Sequence, residues 1–308
     1  MTLPKVLVAL STFAEYGQEP LDLLRKSGFS FVLNSSGQRL KEEEILVLAK
    51  DCDGIVAGVE PYTSQVLAEL PQLKCISRCG VGTDNVDKLK AKELGIKICN
   101  TPDPVVQPVA ELTVGMMLDL LRQITWHTNS MREQKWQKKG GRNLQGCVVG
   151  LVGLGRIGRK VAEILKSFDA RIVGFDPHPD QSWAKVNGVE LVSYDNLLQS
   201  ADIVSLHLSI EKTSSFILGE KEIWMMKPGS ILINVARGEF VDENALYKAL
   251  YDGHLSGAGL DVFAKEPYAG KLCSLENILL TPHVATLTRE SRLEMEKQAV
   301  ENLLRALA

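Results

Sequence analysis

Three sets of residues in this 308-residue chain have types and spacings that suit chemistry. The first is a glycine set: Gly153, Gly155 and Gly158 form G-x-G-x-x-G in VVGLVGLGRIG, after an apolar run and at the head of a helical pattern. In that context the first glycine permits a tight turn. The second lets the backbone approach a pyrophosphate, and the third lets helix pack closely on strand. The N–H groups of a helix N-terminus would face the anion, with Arg156 beside them as a further cation. The second set is a single acid. Asp176 closes the next apolar run, 18 residues after Gly158. A carboxylate there accepts hydrogen bonds from ribose hydroxyls and repels a 2′-phosphate, which favours NAD over NADP; His178, if protonated, is the one neighbour that would tolerate such a phosphate. The third set is an acid–base constellation. Arg237, Asp261 with Glu266, and His283 each follow an apolar run in the last third of the chain. They would stand at the carboxyl ends of strands, where open α/β sheets bind ligands. Taken singly, each also has a structural reading: Arg237 as a surface cation, Asp242 as a helix cap, Glu266 as a solvated charge before Pro267, His283 as a hydrogen-bonded loop residue.

Placing these residues requires strands and helices in alternation. Val6–Ala9, Phe31–Leu33, Ile55–Ala57, Cys75–Ser77 and Ile96–Cys99 read as strands, with helical patterns between them. Continuous apolar strands joined by helices predict a parallel sheet buried on both faces. The stretch Asn100 to Pro108 holds three prolines, which forbid regular helix until its end. A single long helix is expected from about Val109 to Met131, then a polar basic loop. A second α/β series follows, with strands at Val148–Val152, Arg171–Phe175, Ile203–Leu206, Ser230–Asn234, Gly257–Leu260 and Ile278–Leu280. The fold class expected is α/β with two domains, since a single core stops growing at roughly 250–300 residues.

Composition removes several classes. With 35 basic and 38 acidic residues the formal charge is −3, which gives no footprint for nucleic acid or an anionic membrane. No run of about 18 apolar residues exists to span a bilayer. The six cysteines form no C-x-x-C and have no histidine at metal-ligand spacing. No metal is expected, and a reducing cytoplasm fits best.

In order and spacing, RCGVGTDNVD (78–87), NTP with VAELT (100–113), GLGRIG (153–158), NVARGEFVDENAL (234–246), LDVFAKEP (260–267) and TPH (281–283) resemble the D-isomer-specific 2-hydroxyacid dehydrogenase family. Among its members the chain looks most like the 3-phosphoglycerate dehydrogenase group, in a short form without a regulatory extension. The resemblance implies a Rossmann-type NAD-binding domain over residues 100–286. It also implies a flavodoxin-like α/β substrate domain from residues 1–99 and 287–308. His283 would be the acid/base, since an imidazole can give and take a proton near neutral pH. Glu266 would fix its tautomer. Arg237 would grip the substrate carboxylate through its planar fork. Val81 and Gly82 would hold the same carboxylate by backbone amides, and Arg78 would reach a substrate phosphate. For the cofactor the resemblance implies Val81, Gly153, Gly155, Arg156, Ile157, Asp176, Leu208, Val235, Asp261 (facing the carboxamide) and His283. His207 lies beside the cofactor strand or is a packed polar residue. A homodimer through residues 109–140 is expected, with Trp136 reaching the partner or standing as a surface aromatic.

Two departures from the family pattern stand out, the first bearing on the substrate and the second on the nicotinamide side of the pocket. The arginine that follows the third strand in the phosphoglycerate group is replaced by Ala57-Gly58, and Thr286 stands where glycine or serine is commoner. Pro282 before the histidine argues against formate dehydrogenase activity. Hydroxypyruvate or glyoxylate reduction is therefore the alternative substrate reading. A different class, an NADH-sensing corepressor-like binding protein, would call for long extensions that this chain does not show.

Overall fold

The structure, a computed structural model, describes residues 3–208 and 217–308. The chain divides into two compact units, Met1–Val105 with Thr286–Ala308, and Val106–Ala285. The first unit runs past residue 99 because the following segment bonds into it. Thr101 N–H donates to Gly80 O at 3.0 Å, Gly80 N–H donates to Thr101 Oγ1 at 2.7 Å, and Ser291 Oγ donates to Pro104 O at 3.0 Å.

The first unit is built on β1 (Lys5–Val8), β2 (Ser30–Leu33), β3 (Gly54–Ala57), β4 (Cys75–Arg78) and β5 (Lys97–Cys99). Their order is β2-β1-β3-β4-β5, all parallel, which is the flavodoxin-like arrangement. Helices α1 (Glu19–Ser27), α2 (Glu42–Ala49), α3 (Ser64–Ala68) and α4 (Lys88–Glu93) connect them. The inner strands β1 and β3 are wholly buried beyond their first residues, whereas the edge strand β2 is partly exposed. The C-terminal helix Arg289–Leu307 returns to this sheet. A Cβ on Gly54 would meet Leu303 and Leu307 at 2.8 and 2.9 Å, so the helix lies directly on β3. The cysteines here behave as small hydrophobes: burial pushes the thiols of Cys75 and Cys79 up to about 12 and that of Cys52 to about 11.

The second unit holds β6 (Val148–Val152), β7 (Arg171–Phe175), β8 (Val189–Leu191), β9 (Ile203–Leu206), β10 (Ile231–Asn234), β11 (Gly257–Leu260) and β12 (Ile278–Leu280). The order β12-β11-β10-β9-β6-β7-β8, again all parallel, reverses direction between β6 and β9. That reversal makes a crevice outside the carboxyl ends, the ligand position of a Rossmann sheet. Its helices are α5 (Val106–Arg122), α6 (Ile124–Arg132), α7 (Arg156–Lys166), α8 (Gln181–Asn187), α9 (Tyr194–Ser200), α10 (Glu220–Met225) and α11 (Glu243–Tyr251). Helix α5 buries Met116 and Leu120 on the sheet, in the space left by Gly259 and Gly257.

Three expectations require correction here. The single helix over 109–131 is two. Gln123 takes a left-handed conformation (φ 55°) and its side chain donates to Leu120 O at 2.7 Å, which closes α5. Asp119 then accepts from Thr125 N–H at 2.9 Å and from its hydroxyl, which starts α6. An unbroken apolar periodicity cannot reveal such a break. Helix α5 also begins earlier than the prolines suggest. Pro108 sits in its first turn, where a backbone N–H would have no helical acceptor in any case. Finally, α8 and β8 lie where no element was expected. The signals were an N-cap, Asp180 accepting from Trp183 N–H at 2.9 Å, and a left-handed Gly188 at the far end.

Candidate active site

The glycine loop follows from local sterics. Gly153 (φ 102°) ends β6, and a Cβ there would lie 2.7 Å from the His207 carbonyl group. A Cβ on Gly158 would lie 2.1 Å from Gly153 O, so α7 can begin against the strand only with glycine at both places. Gly155 differs: it caps α7 at an ordinary φ of −71°, and a Cβ there would meet nothing within 4 Å. Nothing among the described residues calls for glycine at 155. The space it leaves open lies over the first turn of α7, a cradle whose N–H groups suit a pyrophosphate. Arg156 is exposed and Ile157 half-buried on that same turn.

Asp176 stands just past β7. Its Oδ2 accepts from Leu154 N–H at 2.8 Å and its Oδ1 from His178 N–H at 2.9 Å. The acid thus ties the glycine loop to the neighbouring strand end, and each oxygen keeps a lone pair for a further donor. His207 lies under the loop. Its Nε2 meets Ser205 Oγ at 2.9 Å, while Nδ1 is buried with no bonding partner among the described residues. Burial pushes its pKa down to about 3, so the ring is neutral at physiological pH. Leu208 is half-buried and Val235 nearly buried, each just past a strand end.

At the ends of β10, β11 and β12 stand Arg237, Glu266 and His283. Glu266 Oε2 accepts from His283 Nδ1 at 2.9 Å. An ionised carboxylate can only accept, so Nδ1 carries the proton and Nε2 is left as the group that exchanges protons with a ligand. The other glutamate oxygen accepts from Phe263 N–H at 3.1 Å, which fixes the carboxylate plane. Both side chains are part-exposed, 49% for His283 and 38% for Glu266, so a substrate can reach the pair. Arg237 is half-buried, and its Nη1 donates to Ala236 O at 2.7 Å. Gly238, next to it, packs on the backbone of Phe263, where a Cβ would lie 1.9 Å from the carbonyl carbon.

Asp261 is fully buried, and its carboxylate is engaged within the protein. Oδ1 accepts from Thr281 Oγ1 at 2.6 Å and Val284 N–H at 2.8 Å, and Oδ2 from Ala285 N–H at 2.9 Å. The resemblance implies a partner for the carboxamide here; the three described bonds of this acid go to the turn that carries His283, and Oδ2 keeps a lone pair. Asn234 and Thr281, to which the sequence by itself assigns no role, join it. Asn234 is 1% exposed and its Nδ2 donates to Arg237 O at 2.8 Å. Their signal was a polar residue at the last position of an otherwise apolar strand, or just beyond it.

In the first unit, Val81 is exposed and Gly82 half-buried beyond β4. Asn100 Nδ2 donates to Val81 O at 2.9 Å and so fixes this turn. Arg78 donates through Nη1 to Cys79 O and folds over Gly80 (φ 134°), where a side chain would collide with the guanidinium. Ala57 is buried, and Arg78 stands opposite it in the β3–β4 register. Among the described residues, no group of three or more histidine, cysteine or acidic side chains could hold a metal, and no helix is long and apolar enough to cross a membrane.

A glycine cradle at a sheet switch point and an acid–base pair on the same sheet agree with the comparisons to known proteins. Residues 114–285 match the family model described as D-isomer specific 2-hydroxyacid dehydrogenase, NAD binding domain. The chain belongs to the D-isomer specific 2-hydroxyacid dehydrogenase family. Its cofactor is NAD, and the family's members are oxidoreductases. Hydroxypyruvate reductase of Thermotoga maritima is 35% identical over 96% of this chain and 99% of its own. D-3-phosphoglycerate dehydrogenase of Methanocaldococcus jannaschii is 40% identical over 82% of this chain, which spans about half of that protein (49%). Among solved structures, the TT0316 protein from Thermus thermophilus superposes with a TM-score of 0.89 at 35% identity, covering 98% of this chain and 96% of that one. D-lactate dehydrogenase from Aquifex aeolicus, complexed with NAD and lactic acid, gives 0.83 at 28% identity, covering 97% and 93%. The dehydrogenase family thus explains the fold of both units.

Proposed function

We propose that this dehydrogenase interconverts a small D-2-hydroxy acid and its 2-keto acid, with His283 as acid/base. The observation that carries the reading is the 2.9 Å bond from His283 Nδ1 to Glu266, which leaves Nε2 free to exchange a proton with the substrate oxygen. In the reducing direction His283 donates the Nε2 proton to the carbonyl oxygen as the carbonyl carbon is reduced. In the reverse direction Nε2 takes the hydroxyl proton. Glu266 holds the other proton on Nδ1 throughout. Arg237 grips the substrate carboxylate, and the Val81 and Gly82 amides of the first unit are offered as carboxylate donors in their own right. When bound, the oxidised cofactor would accept the hydride from the hydroxy acid, and the reduced cofactor would supply it to the keto acid. Gly153, Gly155, Arg156 and Ile157 would hold its pyrophosphate and Asp176 its ribose, with Leu208 and Val235 beside the nicotinamide.

The leading substrate is 3-phosphoglycerate with its keto acid phosphohydroxypyruvate. It is supported by Arg78 ahead of the CGVGTDNVD run and by the 40% identity to a phosphoglycerate dehydrogenase. Hydroxypyruvate or glyoxylate is the second reading. It is favoured by Ala57-Gly58 in place of a cation and by the hydroxypyruvate reductase matched over nearly its whole length. A panel of kcat/KM values for phosphohydroxypyruvate, hydroxypyruvate, glyoxylate and oxaloacetate, each with NADH and NADPH, decides between them. Preference for an unphosphorylated acid would overturn the first reading, and preference for NADPH would overturn the role given to Asp176. A homodimer through residues 109–140 belongs to the same proposal. It is supported by the exposed Ile124, Met131 and Trp136 (80% exposed), large apolar side chains in one segment. The assignment to a reducing cytoplasm rests on the cysteines, which are free and mostly buried.

A further inference from the structure

We propose that Asn234 and Asp261 are a pair of positioning residues that hold Arg237 and His283 in place through one continuous hydrogen-bond path. The proposal rests on the dehydrogenase reading for what Arg237 and His283 do.

The path starts where two strands end side by side. Strands β10 and β11 pair with Asn234 opposite Leu260, and Asp261 N–H donates to Asn234 O at 3.0 Å. From Asn234 the side chain wraps the turn that follows. Its Oδ1 accepts from Ala236 N–H at 3.1 Å and its Nδ2 donates to Arg237 O at 2.8 Å. From Asp261 the carboxylate reaches across to the turn after β12. It takes the Thr281 hydroxyl two residues before His283, and the Val284 and Ala285 amides on the other side. His283 is therefore clamped from both flanks. Its φ is +55°, a left-handed conformation uncommon for a non-glycine residue, and the bonds on both sides hold it there. The three donors are gathered on one charged acceptor, which makes these bonds stronger than neutral ones. Asn234 and Asp261 are 1% and 0% exposed. Neither presents a surface to a substrate, so each can act on the reaction only through the residues it holds.

The clamp also sets the tautomer of His283. Nδ1 meets Glu266 only if the 281–285 turn keeps its place; released, the ring loses its acceptor and the usual preference of imidazole for a proton on Nε2 returns. The test uses the 308-residue chain labelled with 15N-histidine. The chain has five histidines, and His283 is assigned by its absence in His283→Gln. In Thr281→Val the His283 ring shifts should move from the Nδ1–H towards the Nε2–H pattern. In the same variant kcat should fall about tenfold with the Kd for NADH within about twofold. Thr281→Ser keeps the hydroxyl and should restore both readouts. Asp261→Asn places an amide against the Ala285 N–H and should lower kcat by about 100-fold, the effect expected of a small misplacement. Asn234→Ala loosens Arg237 and should raise KM for the keto acid more than it lowers kcat. Unchanged His283 shifts in Thr281→Val would overturn the proposal. So would a rise in the NADH Kd in step with the loss of kcat in Asp261→Asn, the result that direct contact with the carboxamide requires. A wild-type protein that turns over no keto acid would refute the dehydrogenase reading alone, because the ring shifts still decide whether the clamp holds His283.

Discussion

Two edges of one sheet solve the same problem in different ways. At the β6–β7 edge the cofactor loop is held by shape: Gly153 and Gly158 leave no room for a side chain, and a single carboxylate, Asp176, ties the loop down. At the β10–β12 edge the acid–base residues are held by charge-assisted hydrogen bonds: Asp261 and Glu266 each accept from backbone amides and orient a turn. Shape suits a loop whose task is to bring backbone close to a ligand. Carboxylates suit side chains that must stay part-exposed and still keep one orientation.

If shape holds the first edge, Gly158→Val should have the largest effect. Its Cβ would meet Gly153 O at 2.1 Å, so the second unit should fail to form its first βαβ step, read as loss of the cooperative thermal transition. At the second edge, His283→Gln should lower kcat by about 100- to 10,000-fold, the range for losing a general acid, with the Kd for NADH unchanged by fluorescence titration. A near-normal kcat would remove His283 from the mechanism. Glu266→Gln should cost on the order of 100-fold in kcat and leave the fold intact, since both side chains are solvent-accessible.

A smaller effect separates the edges by pH. His207, under the glycine loop, has its pKa depressed by burial to about 3, against about 6.5 when unfolded. Below pH 6.5 the unfolded chain takes up a proton that the folded chain refuses. Stability from this residue is therefore whole above pH 6.5 and is lost as pH falls towards 3. The difference should reach about 2 kcal/mol by pH 5 and be absent in His207→Asn, checked by urea melts at pH 7.5 and 5. The smallest effect on the protein itself should come from Gly155→Ala. Its Tm should stay within a few degrees, because the Cβ meets nothing, while the Kd for NADH rises about tenfold as the methyl enters the cradle. Equal destabilisation by alanine at 155 and at 158 would break the distinction between a glycine kept for the fold and one kept for a ligand.

Much of this was legible in the residues. The glycine spacing, the acid closing β7 and the polar residues after apolar runs located both edges, because each strand's apolar run ends where its carboxyl end meets solvent. The break at Gln123 was not legible: it depends on the side chains of Gln123 and Asp119 folding back onto nearby backbone, which leaves the apolar period untouched. The role of Asp261 was not legible either. In sequence an acid at a strand end reads as ligand-facing, and only the fold shows it buried with three donors around it.

By itself, the sequence determined that the chain forms parallel α/β layers, that one layer presents a dinucleotide loop, and which side chains stand at strand ends. Those properties follow from apolar period, glycine stereochemistry and local spacing, each of which acts over a few residues. The tertiary structure alone decided which strand ends become neighbours, and so which carboxylate orients His283 and which one holds its turn. Asp261, Glu266 and His283 are brought together by the pairing of β11 with β12, a long-range choice made by the packing of whole strands.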